Sequence, residues 1–474
     1  MEESYDAIVI GAGPNGLAAA ITLAQAGHSV LVREANPILG GSCRSAELTL
    51  PGYTHDICST VQALAVASPF LRGLPLSQHG LELAYPAAEF AHPLDDGTAA
   101  VAYRSLEATA ETLGPDGKAW KELFGPIVRD WEKLVPALLG PPPPMPTHPI
   151  ALANFGLKAL RSARGLAESW FQGEHARGLF AGAAAHSILP LEWASTAAFG
   201  LVLSASAHSG GWPVARGGSQ KLAEAMASLL RAHGGRIETN ARVTNIDELP
   251  RAKAILCDLT PRQLLRIAGH KLPAGYKARL EKFRYGPGAH KVDWALSEPI
   301  PWTARGCREA GTVHLGGTFD ELAYAERAPW EGRNPERPYV LVVQYPFDPS
   351  RAPVGKQVAW AYCHVPHGSD FDMTSRIEDQ IERFAPGFRD TIVARSVMTP
   401  SALENHNSNL VGGDITGGAN MFSQVFSRPV LSVDPYKTPL KGLYLCSAST
   451  PPGAGVHGMC GHNAAKSALR GVLA

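Results

Sequence analysis

Asp6-Ala7-Ile8-Val9-Ile10-Gly11-Ala12-Gly13-Pro14-Asn15-Gly16 decides the fold. A short apolar run leads straight into G-x-G-x-x-G, and an alanine-rich helical stretch follows to near Gly27. Ser29-Val30-Leu31-Val32-Arg33 is a second strand-like run, closed by Glu34. Strand, glycine turn, helix, strand and acid make the unit that grips the ADP half of a dinucleotide. Gly11 permits the tight turn, Gly13 lets the backbone approach a pyrophosphate with no Cβ in the way, and Gly16 lets the helix pack closely on the sheet. The helix N-terminus, which opens at Pro14, offers the N–H groups that follow it, Asn15 first, and partial positive charge to the phosphates. Glu34, 18 residues past Gly16, stands where a carboxylate accepts hydrogen bonds from a ribose diol. The plain alternative is a glycine turn in an ordinary α/β unit.

Glu34 suits the unphosphorylated ribose of either FAD or NAD. Leu39-Gly40-Gly41-Ser42-Cys43-Arg44 then starts to separate them, because its Gly-Gly pair begins six residues after the acid. A pair at that spacing lets the chain run beside a flavin's pyrophosphate and ribityl chain, a need that simple NAD dehydrogenases lack. Read alone, the pair is a flexible loop.

These segments resemble the phytoene-desaturase-like flavoproteins of the amine-oxidase and carotenoid-desaturase superfamily, in the branch with retinol saturase and the pyridine nucleotide-disulphide oxidoreductase domain-containing proteins. Three further segments carry the resemblance. One is Gly211-Trp212-Pro213-Val214-Ala215-Arg216-Gly217-Gly218-Ser219-Gln220, with a helix to about His233 and then Gly234 to Val243. Another is Gly442-Leu443-Tyr444-Leu445-Cys446-Ser447-Ala448-Ser449-Thr450, leading to Gly453-Ala454-Gly455-Val456-His457-Gly458 and a helix from Cys460 to Leu473. The third is Gly412-Gly413-Asp414-Ile415, followed by Arg428-Pro429. The chain departs from the family at Pro451-Pro452 and His457, where relatives often carry His-Pro and Pro, Met or Thr.

The resemblance implies a glutathione-reductase-type Rossmann FAD-binding domain, discontinuous in sequence, with an inserted α+β substrate domain built from an antiparallel sheet and a helical subdomain. It implies FAD contacts at Gly11, Gly13, Pro14, Asn15, Gly16, Glu34, Ala35, Gly40, Gly41, Ser42, Ser59, Thr60, Val243, Gly455 and Val456. Val243 is placed on a strand beside the adenine. The FAD-binding domain is expected at 1–75, 210–270 and 425–474, and the substrate domain at 76–209 and 271–424.

Between the flavin segments the sequence changes character. Residues 104–205 read as helices: Ala108 to Leu113, Ala119 to Leu139, Ile150 to Phe171, and Ala176 to Ala185. Pro141-Pro142-Pro143-Pro144 reads as a stiff connector. Residues 285–365 read as an antiparallel sheet with one face covered: Lys291 to Leu296, Thr312 to Leu315, Tyr339 to Tyr345 and Gln357 to His364. No second G-x-G-x-x-G follows a strand, so a dedicated NAD(P)H domain is not expected.

The bulk numbers bound the function. With 474 residues, two to three domains fit, and 43 basic residues balance 43 acidic ones, which leaves no nucleic-acid footprint. Seven cysteines without C-x-x-C or C-x4-C exclude a zinc site and a redox dithiol, and point to reduced thiols in a cytoplasmic chain. Cys43 either adjoins the flavin or is a small buried side chain. Met1-Glu2-Glu3-Ser4 is no targeting signal, and no run of eighteen apolar residues spans a membrane. Ile150 to Phe171 sets apolar residues beside Lys158, Arg161 and Arg164, which suits either a membrane-surface helix or a core helix with a solvated face.

The expected activity is that of an FAD-dependent oxidoreductase: desaturation, saturation or isomerisation of a C–C bond in an apolar isoprenoid or polyene substrate. His55, Asp56 and His457 are the acid–base candidates, the first two within a segment that the family places under the flavin. The electron acceptor stays open among oxygen, a quinone and NAD(P), and the oligomeric state is open. An amine or amino-acid oxidase is the competing enzyme reading. A non-catalytic scaffold resembling Rab GDP-dissociation inhibitors is the competing non-enzyme reading.

Overall fold

The computed structural model describes residues 4–141 and 146–474. Met1-Glu2-Glu3 of the N-terminal reading and Pro142-Pro143-Pro144 of the connector reading lie outside the described residues. In chain order the strands of the two main sheets are β1 (Ser4–Ile10), β2 (Val30–Arg33), β3 (Ala88–Pro93), β4 (Ala99–Ala102), β5 (Arg236–Glu238), β6 (Arg251–Cys257), β7 (Gly288–Leu296), β8 (Ala310–Leu315), β9 (Val340–Gln344), β10 (Gln357–Val365), β11 (Ile392–Met398) and β12 (Leu443–Leu445).

The first sheet runs β12-β6-β1-β2-β5 and is parallel throughout. Its strands come from the start, the middle and the end of the chain. The inner half of β1 is buried on both faces, as a parallel strand covered by helices must be, which is why it reads as a continuous apolar run. Helix α1 (Pro14–Gln25) is buried nearly all round and packs on α2 (Gln220–Ala232) and α3 (Met459–Leu469). Leu17, Ile21 and Leu23 are fully buried, each contributing about 1.5–3 kcal/mol of transfer free energy. The approach of α3 to α1 depends on Gly461, where a Cβ would sit 1.7 Å from the Asn15 carbonyl oxygen.

The second sheet runs β11-β7-β10-β9-β8-β3-β4. It is mixed, not purely antiparallel: β8 pairs with β3 in parallel register, Thr312 opposite Phe90 and Val313 opposite Ala91. Nor is only one face covered. β7 is buried along its whole length. One face, carrying Val292, Trp294, Val340, Val342, Ala359 and Ala361, packs on Ile377, Ile381 and Phe384 of the helix Thr374–Phe384. The alternate residues of β9 and β10, Leu341, Val343, Trp360 and Tyr362, look the other way, onto a cavity.

The helical region is more broken than its sequence reads. Ala119 to Leu139 divides into Gly117–Arg129 and Trp131–Leu138, and Ile150 to Phe171 into Pro149–Ala159 and Ala163–Trp170. The second break has a local cause: the Ser162 hydroxyl accepts the Gly165 N–H and caps a new helix. Beyond α2, the expected strand is only β5, and Val243 lies in the loop after it.

Candidate flavin and substrate site

A cavity of about 430 Å³ lies between the glycine turn of the first sheet and the inner face of the second. Of the expected cofactor contacts, Gly11, Gly13, Pro14, Asn15, Glu34, Ala35, Gly41, Ser42, Ser59, Thr60, Val243, Gly455 and Val456 line it. Gly16 and Gly40 do not. Gly16 supports the turn: its N–H donates to Asp258 Oδ2 at 3.0 Å, and a Cβ there would meet the Gly11 carbonyl oxygen at 2.0 Å. Gly40, at φ +121, donates its N–H to the Ala12 carbonyl at 2.9 Å and holds the two glycine loops together.

The chemistry of this wall fits FAD. Glu34 Oε2 accepts the Ala12 N–H at 2.9 Å, and Oε1 accepts the Asn36 backbone and side-chain N–H groups at 2.8 and 2.9 Å. An ionised carboxylate has about four acceptor positions, so capacity for a ribose hydroxyl remains. Gly13 meets the cavity with no Cβ, and Asn15 Oδ1 is buried there without a partner. When bound, FAD would supply hydride chemistry at its ring. The residues that would hold it are the Gly13–Asn15 turn, Glu34, Gly41–Ser42 and Gly455–Val456.

Two charged neighbours escaped the sequence reading. Arg44 lines the cavity and is fixed by donating to the carbonyls of Gly41 at 3.0 Å and His406 at 2.8 Å. Asp258, at the end of β6, also lines it, and burial pushes its carboxyl up to about 7 against the pull of the Gly16 N–H. An acid directly after a parallel strand and before Thr260-Pro261 was the visible signal for Asp258.

None of the three acid–base candidates lines the cavity. Asp56 is fully buried and accepts from Arg351 at 2.8 Å, Ser45 at 2.7 Å, Thr60 at 2.9 Å and the Ser219 N–H at 2.7 Å. Burial alone would raise its pKa, but the Arg351 charge and these hydrogen bonds outweigh that and hold it below the usual carboxylate range. His55 Nε2 pairs with Thr49 Oγ1 at 2.8 Å, and Nδ1 stands 3.5 Å from Asp293. His457 is buried at the start of the last helix, where Nδ1 accepts the Met459 N–H at 3.0 Å and burial lowers its pKa to about 4. All three organise backbone and buried charge.

Cys43 is fully buried away from the cavity, and burial raises its thiol pKa, which fits the small-core-residue reading. Asp414 and Arg428 are likewise structural. Asp414 accepts the N–H groups of Gly286 and Gly418 at 2.9 and 3.0 Å, and Arg428 donates to the carbonyls of Gly418 and Ala448 at 3.1 Å. Ile415, Thr416 and Gly417 between them reach the cavity.

The opposite wall is formed by His186, Ile188, Leu203, Trp212, Thr312, Leu341, Val343, Trp360 and Tyr362, with no carboxylate, Lys or Arg among them. Lys291 approaches from behind, its ammonium 4.9 Å from the Trp360 ring centre and paired with Asp293 at 2.5 Å. Among the described residues, no group of three or more His, Cys, Asp or Glu is placed to hold a metal, and no helix is long and apolar enough to cross a membrane.

Comparison with known proteins agrees with this geometry. The chain is 26% identical to pyridine nucleotide-disulfide oxidoreductase domain-containing protein 2 of Rattus norvegicus, over 99% of this chain and 94% of the relative. It is 24% identical to a lycopene-forming phytoene desaturase of a Paracoccus species, over 96% and 95%. In fold it matches an oxidoreductase from Methanosarcina mazei with a TM-score of 0.66 at 17% identity, over 99% and 100% of the two chains. It also matches putrescine oxidase bound to putrescine with a TM-score of 0.62 at 16% identity, over 99% of each. The profile of the flavin containing amine oxidoreductase family matches residues 15–264, more than half of the sequence. With that match running from Asn15 at the end of the glycine turn through Glu34 and the second glycine pair, the chain belongs to the flavin containing amine oxidoreductase family and is an FAD-dependent oxidoreductase.

Proposed function

We propose that this oxidoreductase desaturates, saturates or isomerises a C–C bond in an apolar, isoprenoid- or polyene-like substrate. The observation that carries the reading is the wall facing the flavin site: seven apolar or aromatic side chains from strands, a helix and loops (Ile188, Leu203, Trp212, Leu341, Val343, Trp360 and Tyr362) and no carboxylate. Such a wall excludes water and gains from apolar contact. The phytoene desaturase relative described above supports it.

The same wall offers no carboxylate to an ammonium group, and the Trp360 ring already has Lys291 against it. A membrane-surface contact during substrate collection is part of the proposal. Ile150 and Leu157 on the helix Pro149–Ala159 are 79% and 74% exposed beside Lys158. The electron acceptor is taken to be oxygen, a quinone or NAD(P).

The test is anaerobic mixing of the FAD-loaded chain with phytoene in lipid vesicles and, separately, with putrescine. The proposal expects phytoene, and not putrescine, to bleach the oxidised flavin (desaturation), to recolour the pre-reduced flavin (saturation), or to be returned as an isomer from the reduced protein. Bleaching by the amine alone, with hydrogen peroxide released on aeration, would replace it with the amine-oxidase reading.

A further inference from the structure

Two polar groups stand out in the apolar wall. His186 lines the cavity and is only partly buried, and its Nε2 lies 3.1 Å from His314 Nε2. Its Nδ1 has no hydrogen-bond partner among the described residues. Thr312 lines the same wall, is 1% exposed, and its Oγ1 is buried with no partner. A buried hydroxyl left unpaired costs about 1–3 kcal/mol, so it points to a ligand atom that completes it. The two residues meet through β8: Thr312 and His314 are two apart on one strand and so share a face.

The protonation of the pair follows from His314. Its ring is fully buried and its Nδ1 has no partner. An orphaned lone pair is less costly there than an orphaned N–H. His314 therefore carries its proton on Nε2 and donates it to His186 Nε2. Burial lowers the pKa of His186 to about 3, so the ring is neutral at ordinary pH and its single proton is on Nδ1. The other ionisable groups packed around this pair are His92, Tyr339, and His364 with Glu326 at its Nδ1. The chain also bends sharply here. Ile188 adopts φ +54 and ψ +40, a left-handed conformation costly for a β-branched residue, and both His186 and Ile188 reach the cavity.

We propose that His186 Nδ1–H and Thr312 Oγ1–H form a polar anchor for one oxygen atom, a carbonyl or hydroxyl, on an otherwise apolar substrate. The preferred substrate is then an oxygenated isoprenoid, bound more tightly than the matching hydrocarbon. This deepens the C–C oxidoreductase reading and rests on it for the apolar remainder of the substrate. An oxygen held here fixes the register of the carbon chain along the cavity, and a neutral imidazole can polarise a conjugated carbonyl without carrying charge.

The test is equilibrium binding of a matched pair, carvone and limonene, which share a carbon skeleton and differ in the carbonyl. It uses the FAD-loaded full chain, read by calorimetry and by perturbation of the flavin spectrum. Each neutral hydrogen bond contributes roughly a factor of two to ten, so wild type is expected to bind carvone about tenfold or more tighter than limonene. T312V, which keeps side-chain shape, and H186F are each expected to reduce that ratio several-fold, and the double variant to bring it close to one, each ratio being taken within the same variant. Equal binding of the two probes by wild type, or a ratio undiminished in T312V and H186F, overturns the anchor. Turnover is scored separately. Tight carvone binding without flavin bleaching by carvone, limonene or phytoene counts against the C–C reading and leaves the anchor standing.

Discussion

Replacing Gly13 by Ala separates cofactor binding from folding. Gly13 precedes α1 with φ −74 and ψ 174, a backbone conformation open to any residue, so alanine introduces no torsional strain. Its Cβ would lie 2.9 Å from Asp258 Oδ2 and 3.8 Å from Gly41 Cα. The near contact is the end of a carboxylate, which needs to give by only a few tenths of an ångström and can do so while keeping the Gly16 N–H bond. The methyl instead fills the space through which a diphosphate reaches the helix N-terminus. Loss of one charge-assisted hydrogen bond costs about 1.5–3 kcal/mol, roughly a ten- to hundredfold weaker FAD complex. Gly16→Ala is the contrast, because its Cβ would meet the Gly11 carbonyl oxygen at 2.0 Å and the carbonyl carbon at 3.0 Å. Those atoms are backbone, so the strand–turn–helix unit itself must open, with an overpacking cost of about 1–3 kcal/mol or more. The assay is fluorescence titration of apoprotein with FAD, alongside denaturant unfolding of both apo variants. G13A should keep wild-type apo stability and lose FAD affinity, while G16A should lose both. An unchanged FAD affinity in G13A, or an apo form as unstable as that of G16A, would refute the reasoning.

Asp258 gives a pH signature. Its carboxyl is neutral below about 7 and anionic above, facing the site of a diphosphate, so FAD affinity should weaken as pH rises through neutrality, and D258N should flatten that dependence in the same titration. Arg351 is 1% exposed between Asp56 and Asp348, at 2.8 Å from each, so R351A should cost about 3–5 kcal/mol in denaturant unfolding by stranding two buried carboxylates. A loss well under 1 kcal/mol would mean that water reaches them. His457 has a folded pKa of about 4, below its unfolded value, so the stability it contributes is complete above about 6.5 and drains away as pH falls toward 4. H457Q should show a shallower loss of melting temperature across that window and retain FAD and turnover; a loss of turnover with FAD retained would return His457 to the chemistry.

Much of the nucleotide half was legible because its signal is local. Turn, helix and acid lie within thirty residues of one another, and each glycine from Gly11 to Gly16 has a single steric reason to be there. The second half was legible only where β-branched residues alternate, as in Val340–Gln344. β3, Ala-Glu-Phe-Ala-His-Pro, carries no such signal and is a strand because both its faces are buried in a mixed sheet. β11 shows the period of two in its half-exposed pattern and is an edge strand that the reading passed over. The acid–base candidates lie off the cavity for a physical reason. Histidine and aspartate beside glycine-rich segments look reactive in sequence, yet Asp56 is placed by Arg351, 295 residues away, a contact that no local pattern encodes. His186 and Thr312 were invisible for the converse reason, since each is unremarkable until the fold brings them to one wall.

The central claim is that two glycine turns, distant in the chain, grip one flavin. The most direct measurement is the position of FAD in a crystal of the reconstituted full-length protein. The account predicts the diphosphate within hydrogen-bond distance of the Gly13 and Asn15 N–H groups, with Gly455–Val456 touching the same molecule. A flavin bound elsewhere, or touching the first turn and not the second, would contradict it.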